Sequence, residues 1–333
     1  MSSLTQHLRS GKQVLQQLEP VSVLTPRVTR VLGGNPGPFT LTGTNTYLVG
    51  TGSKRILFDT GDGLPVFVEH LRAAFDRTGC TGLECIVVSH WHHDHLGGVA
   101  SVQEFLGNEV PVFKFIPASL EETFGGEGAR APYDMWPKEK FTHLEDGAVL
   151  KVEGATLRFH FTPGHANDHM VAMLEEEGAM LSADNVLGTG TGVFRDLTQY
   201  LDSLQKMHDL KPSRLYPGHG PVVEDAVARI SAYVEHRTAR VRQVEAAFSP
   251  PAAEEEESDP TSTTASTSAS VSASEVLSLT EITRRVYPAD LDPKLFRPAM
   301  ANTANVLRHL ATVGVVAQLG DEEWKLIKAP AQL

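Results

Sequence analysis

The stretch His90-Trp91-His92-His93-Asp94-His95 packs four imidazoles and a carboxylate into six residues. Zinc takes imidazole nitrogen and carboxylate oxygen at about 2.0 to 2.2 Å, and a catalytic site keeps one position open for water. In a tight loop alternate side chains converge, so the spacing lets His90 and His92 share one ion while Asp94 and His95 face a second. A four-residue cluster cannot complete two sites, and more distant ligands are required. Gly164-His165 offers the first ion a third imidazole, and Pro217-Gly218-His219-Gly220 offers the second another. Asp184, which follows Leu181-Ser182-Ala183, has two oxygens with which to bridge both. The expected site is therefore His90, His92, Asp94, His95, His165, Asp184 and His219 around two Zn2+ per chain.

Such a pair of ions activates a bridging water near neutral pH for attack on an electrophilic carbon or phosphorus, and polarises the oxygen that gains charge. Asp94 is the candidate catalytic residue, because its carboxylate can accept a hydrogen bond from the attacking group and keep it aimed. His169, in Asp168-His169-Met170, reads first as a structural histidine and second as a proton donor. His93 falls between ligands and is expected to support them or to lie exposed.

Each cluster needs a rigid element to deliver it. Val28 to Leu32, Thr46 to Val49 and Arg55 to Asp59 read as successive strands, and Leu64 to Asp76 as a helix with Val66, Val68, Leu71 and Phe75 on its apolar side. Glu84 to Val88 is a buried strand that runs straight into His90. Val149 to Glu153 and Thr156 to Phe161 form a hairpin around Gly154 that ends at His165, and Met170 to Leu174 with Ala179 to Ser182 form a second that delivers Asp184. A helix near Leu197 to Leu210 leads to strand Arg214 to Tyr216 and then His219. Strands alternating with helices give an α/β fold of sheets covered by helices.

The boundary in the chain is Ser249 to Ser274, which reads SPPAAEEEESDPTSTTASTSASVSAS and cannot bury a core. It divides the chain into an N-terminal extension (1–23), a catalytic domain (24–248), an acidic, Ser/Thr-rich linker (249–274) and a small C-terminal domain (275–333). In that last segment Leu279 to Val286 and Met300 to Val313 read as helices, and Val315 to Leu319 pairs with Glu323 to Ile327. The order suggests a winged-helix-like module, which serves nucleic-acid binding, protein contact and packing alike.

The formal net charge of -12 opposes a polyanionic partner except through a local basic patch. Arg237, Arg240, Arg242, Arg284, Arg285, Arg297 and Arg308 could supply one. The two cysteines, Cys80 and Cys85, read as reduced thiols of an intracellular protein. No apolar run is long enough to span a membrane, and the first 20 residues, with Arg9 and Lys12, lack the core of a secretory signal. The expected compartment is the cytoplasm, with the mitochondrial matrix as the alternative.

H-x-H-x-D-H, then a Gly-His, a strand-end Asp and a final Gly-His resembles the metallo-β-lactamase superfamily, with no position departing from its pattern. The resemblance implies an αββα sandwich of two face-to-face β-sheets with helices outside. It also gives Asp59, in Asp59-Thr60-Gly61, the task of supporting the metal loop from beneath. The absence of a cysteine near His165 or Asp184 sets the chain apart from antibiotic-degrading members with a thiolate ligand.

Arg30 to Pro38 (RVLGGNPGP), Gly43 to Gly50 (GTNTYLVG) and Glu153 to Arg158 are similar to the lactamase-beta-like group related to glyoxalase II. That group holds mitochondrial endoribonucleases and fungal polyketide-cluster thioesterases of the atrochrysone carboxyl-carrier-protein type. Ser89 to His95 and Ser182 to Gly188 resemble the thioesterase branch, and the acidic charge agrees. The reading is a thioesterase releasing a polyketide chain from an acyl carrier protein thioester. The alternatives are an endoribonuclease acting on single-stranded RNA and a glyoxalase II-like enzyme acting on a small thioester.

Overall fold

The computed structural model describes residues 15–117, 140–249, 276–320 and 322–327. The linker beyond Ser249, and Arg9 and Lys12 of the N-terminal extension, lie outside the described residues. Chain contacts define two units, one of residues 1–194 with 199–233 and one of 195–198 with 234–333.

In the first unit a seven-stranded sheet runs in sequence order through β1 (Val21–Val23), β2 (Val28–Leu32), β3 (Asn45–Val49), β4 (Lys54–Phe58), β5 (Gly82–Val88), β6 (Val112–Lys114) and β7 (Phe141–His143). Pairing is antiparallel as far as β4 and parallel beyond it. The parallel step from β4 to β5 needs a crossover, which α1 (Pro65–Thr78) makes. A second sheet has the order β12 (Leu215–Pro217), β11 (Ala179–Ala183), β10 (Met170–Leu174), β9 (Ala155–Phe161), β8 (Val149–Val152).

The period-two alternation of the strands sends side chains into two cores. Tyr47, Val49, Ile56, Phe58, Cys85 and Val87 from the first sheet meet Leu157, Phe159, Ala172, Leu174 and Leu181 from the second. Leu48, Leu57, Ile86 and Val88 point the other way, onto Phe67, Leu71 and Phe75 of α1, Leu96 of α2 (His93–Leu96) and Val99 and Val102 of α3 (Val99–Leu106). On α1 the buried residues are Phe67, Leu71, Ala74 and Phe75, not the Val66 and Val68 expected. Phe67 carries more apolar area than either valine and sits on the same stripe as Leu71 and Ala74, so it sets the helix's rotation. Beside the second sheet, Tyr200, Leu204 and Met207 of α4 (Leu197–Asp209) are fully buried, and Ser203 donates to the Pro163 carbonyl at 2.7 Å. The layers are those of an αββα sandwich.

α5 (Ala226–Ala246) begins in the first unit and runs into the second. There α6 (Leu279–Val286) and α7 (Pro293–Thr312) are followed by β14 (Val316–Gln318) and β15 (Glu323–Leu326), the expected order of helices and hairpin, and β13 (Val276–Ser278) adds a third strand beside β15. Ser278 and Glu281 form a capping box on α6. α7 starts about two turns before Met300, because Asp292 accepts from the Lys294 amide and Pro293 takes the first helical position. No helix among the described residues is long and apolar enough to cross a membrane.

Candidate metal centre

Five strand ends deliver the chemistry. β4 ends at Phe58 and hands over Asp59, β5 leads to Ser89 and His90, β9 to His165, β11 to Asp184 and β12 to His219. Asp59 and Ala183 take φ of 62° and 42°, the left-handed region that non-glycine residues avoid, so the chain turns sharply where a carboxylate is presented. Gly164 (φ +124°) passes against the Tyr200 backbone with no room for a Cβ, and a Cβ on Gly218 would strike Asp184 Oδ1. The Gly-His pairs are thus a packing requirement.

The seven expected residues come together as two groups. His90, His92, His165 and Asp184 form one, and Asp94, His95 and His219 the other. His92 Nδ1 lies 2.9 Å from His90 Nε2 and 3.0 Å from His165 Nε2. Asp94 Oδ2 lies 3.3 Å from His95 Nε2 and 3.2 Å from His219 Nε2. Asp184 faces both groups, with Oδ1 3.4 Å from His95 Nε2 and Oδ2 3.6 Å from His165 Nε2 and 3.3 Å from His219 Nε2.

Hydrogen bonds fix which nitrogen each ring offers. His95 Nδ1 donates to Asp59 Oδ2 at 2.8 Å. Ser89 Oγ donates to the same oxygen at 2.9 Å and so accepts from His90 Nδ1 at 2.9 Å, while the Ser89 amide donates to Asp59 Oδ1 at 2.8 Å. His165 Nδ1 donates to the Val193 carbonyl at 2.7 Å. In all three rings Nε2 is turned toward the centre, and outer partners of this kind hold a metal-binding imidazole in one tautomer.

These residues fit a pair of cations. Three imidazole nitrogens converge within hydrogen-bond distance, and a single proton on His92 can satisfy one neighbour only. His95 Nε2 and Asp184 Oδ1 are buried without a hydrogen-bond partner. Burial and the neighbouring His165 push His92 down to about 3, and burial lowers His90 and His165 as well, so the three imidazoles of the first group are neutral beside an ionised Asp184. In the second group burial opposes charge on His219, but Asp184 and Asp94 outweigh it and raise the ring to about 9. His95 is likewise raised by Asp94, Asp184 and Asp59 against its burial.

Protons on His95 and His219 stand where a cation would, and metal uptake must expel them. Apparent metal affinity is therefore expected to rise with pH up to about 9, the raised value of His219, where that ring's share of the competition ends. Without metal, the stability from this raised histidine is whole below 6.5 and lost as pH climbs through about 9. Chelator competition across that range checks the first statement, and a flat profile would mean that His219 carries no proton to expel.

Asp59 is fully buried beneath both groups, as the resemblance implied. His169 Nε2 accepts from the Asp184 amide at 3.2 Å while Nδ1 meets Thr162 Oγ1 at 3.0 Å, a structural task that holds the carboxylate's backbone. His93 is 52% exposed, 3.2 Å from Asp62.

Several supporting residues were not singled out in the sequence. Thr44 Oγ1 donates to Asp94 Oδ2 at 3.0 Å, and Thr44 is itself held by Asn35. Asn45 Nδ2 donates to the Pro217 and Gly220 carbonyls at 2.9 and 2.8 Å, and Tyr47 OH to Pro217 at 2.7 Å, so β3 clamps the His219 turn. Lys114 and Asp168 form a buried ion pair, and Asp168 Oδ1 accepts from the Trp91 amide at 3.4 Å. The only signals for Asn35, Thr44, Asn45 and Tyr47 were the RVLGGNPGP and GTNTYLVG resemblances, which marked the segments without their task, and Lys114 had none.

The groups open into a cleft of about 310 Å³. One side is Pro38, Phe39, Thr40 and Leu41, the other Leu187 to Val193, and His92, Asp94, His165, Asp184 and His219 form the floor. Phe39 is 82% and Val193 60% exposed, so the mouth is apolar and open to solvent.

The metallo-beta-lactamase superfamily matches residues 39–219, a span that contains all seven. The Beta-lactamase-like protein 2 homolog of Caenorhabditis elegans is 44% identical over 232 residues, covering 69% of this chain and 74% of the relative. Lactamase-like protein adaB of Aspergillus niger is 41% identical over 247 residues, covering 74% and 72%. A beta-lactamase domain protein from Burkholderia ambifaria superposes with TM-score 0.68 at 20% identity, over 92% of this chain and 93% of that one. A metallo-beta-lactamase family protein from Thermus thermophilus gives 0.65 at 23%, over 92% and 100%. These two likenesses bear on the fold.

Proposed function

This chain belongs to the metallo-beta-lactamase superfamily, and from that premise we propose that it is a dinuclear zinc hydrolase acting on an acyl thioester, such as a polyketide chain on an acyl carrier protein. His90, His92 and His165 would hold one ion, Asp94, His95 and His219 the other, and Asp184 would join them. When bound, such ions supply Lewis acidity and bring a coordinated water toward ionisation near neutral pH. The protein's own groups do the rest. His95 first, then His219 and its hydrogen bonds, hold Asp94 well below the usual carboxylate range against the effect of burial. Asp94 therefore stays ionised and can accept the hydrogen bond of an attacking water. Thr44 fixes its orientation through Oδ2.

The observation that carries the substrate class is the cleft. Its walls present Pro38, Phe39, Leu41, Leu187 and Val193 to a bound molecule, which suits an apolar acyl group. A single-stranded RNA would be gripped through its phosphates by Lys and Arg, and the described residues lining the cleft include neither. A thiol with pKa about 8.5 also leaves without a dedicated acid, which agrees with His169 being engaged by Asp184 and Thr162.

The test offers zinc-loaded enzyme an acyl or aryl phosphopantetheine thioester and a single-stranded RNA at matched concentration. Thioester turnover with intact RNA is the expected result. Metal-dependent RNA cleavage that weakens steeply with salt, with no thioester turnover, would move the assignment to an endoribonuclease.

A further inference from the structure

The loop from Leu187 to Val193 forms one wall of the cleft and also touches a histidine of each group. The Gly188 amide donates to the His219 carbonyl at 2.9 Å, and the Val193 carbonyl accepts from His165 Nδ1 at 2.7 Å. Glycines at 188, 190 and 192 give the loop little backbone restraint of its own. α5 adds restraint to it. Arg229 donates to the Leu187 carbonyl through Nε and Nη2 at 3.3 and 3.1 Å, and Nη2 reaches the Gly190 carbonyl at 2.8 Å. One turn along the helix, the buried Tyr233 hydroxyl accepts from the Leu187 amide at 3.0 Å and donates to the Gly190 carbonyl at 3.1 Å. The guanidinium carbon lies 5.2 Å from the centre of the Tyr233 ring, so the pair braces itself.

We propose that Arg229 and Tyr233 are positioning residues that latch the Leu187–Val193 loop, and that the latch sets both the grip of the cleft on an acyl chain and the aim of His165 and His219. The proposal rests on the metal-hydrolase reading given above. Charge-assisted bonds from Arg229 hold two carbonyls on either side of the Gly188-Thr189 turn, and releasing them frees the Val193 wall. His165 then loses its fixed acceptor, and the His219 backbone loses a neighbour that keeps its turn in place.

The experiment uses the full chain with Arg229→Ala, Arg229→Lys and Tyr233→Phe. It reads amide exchange across 187–193, zinc affinity by chelator competition, and kcat and KM for acetyl and long-chain phosphopantetheine thioesters. Arg229→Ala is expected to speed exchange of the loop amides and to raise KM for the long-chain substrate, each by about ten-fold, the worth of one charge-assisted hydrogen bond. The acetyl thioester changes less, zinc affinity falls, Tyr233→Phe shifts in the same direction, and Arg229→Lys recovers part of the loss. Wild-type loop exchange, chain-length ratio and zinc affinity in both Arg229→Ala and Tyr233→Phe would overturn the latch. So would a lowered melting temperature with KM and the chain-length ratio unchanged, since that is the mark of a merely structural role. If the wild-type protein binds zinc but turns over no thioester, the substrate assignment fails, and the exchange and zinc measurements still decide the latch.

Discussion

Asp184→Ala is expected to cut the hydrolytic rate of the metal-loaded enzyme at least about 100-fold, or about 2.7 kcal/mol of transition-state stabilisation, and to lower bound zinc below two per chain. The carboxylate is the group shared by both halves of the centre, within 3.4 Å of His95, 3.3 Å of His219 and 3.6 Å of His165. Its removal leaves two cations facing one another without an anion between them, in a site where each ionic contact is strengthened by burial. Far-ultraviolet circular dichroism should stay near wild type, because the Asp184 amide bond to His169 and the β11 pairing with β10 and β12 are backbone features that alanine keeps. Retention of more than about a tenth of the rate, a loss under 1.4 kcal/mol, would show that Asp184 is not a ligand.

Much of this centre was legible in the sequence because its residues are tied to local rules. His90, His92, Asp94 and His95 are close in sequence, and the others each follow a strand whose alternation or turn marks its end. The Gly-His pairs are readable too, and their reason is steric: Gly164 and Gly218 pass too close to Tyr200 and Asp184 for a side chain. What escaped was long-range and ordinary in type. Thr44 reaches Asp94 across 50 residues and Asn45 reaches Pro217 across 172, and neither threonine nor asparagine in a strand announces a distant partner. Lys114 sits in a three-residue strand, β6, too short for periodicity to register, and its burial against Asp168 follows from tertiary packing alone. The rotation of α1 was lost for a similar reason, since the stripe through Phe67 is chosen by the sheet it lands on.

The variant with the sharpest contrast between fold and chemistry is Asp59→Asn, expected to fold almost normally yet bind zinc about 10- to 100-fold more weakly, the usual cost of losing an outer partner. Asp59 Oδ1 accepts from the Ser89 amide, so an asparagine must keep its carbonyl oxygen there and turn its NH2 toward Ser89 Oγ and His95 Nδ1. His95 can then meet that NH2 only with a lone pair on Nδ1, which leaves the ring's one proton pinned on Nε2, the atom that faces Asp94 and Asp184. Ser89 Oγ becomes an acceptor from the amide, and its own hydrogen turns to His90 Nδ1, driving the proton of that ring to Nε2 as well. One substitution thus pins a proton on a metal-facing nitrogen in each group, and binding of both ions is weakened together. Asp59→Ala differs, because it leaves the Ser89 amide and His95 Nδ1 buried and unpaired at about 1 to 3 kcal/mol each, and is expected to lower the melting temperature as well. Chelator competition and thermal melting on the two variants separate the effects. Wild-type zinc affinity in Asp59→Asn would mean that the carboxylate does not set the histidine tautomers.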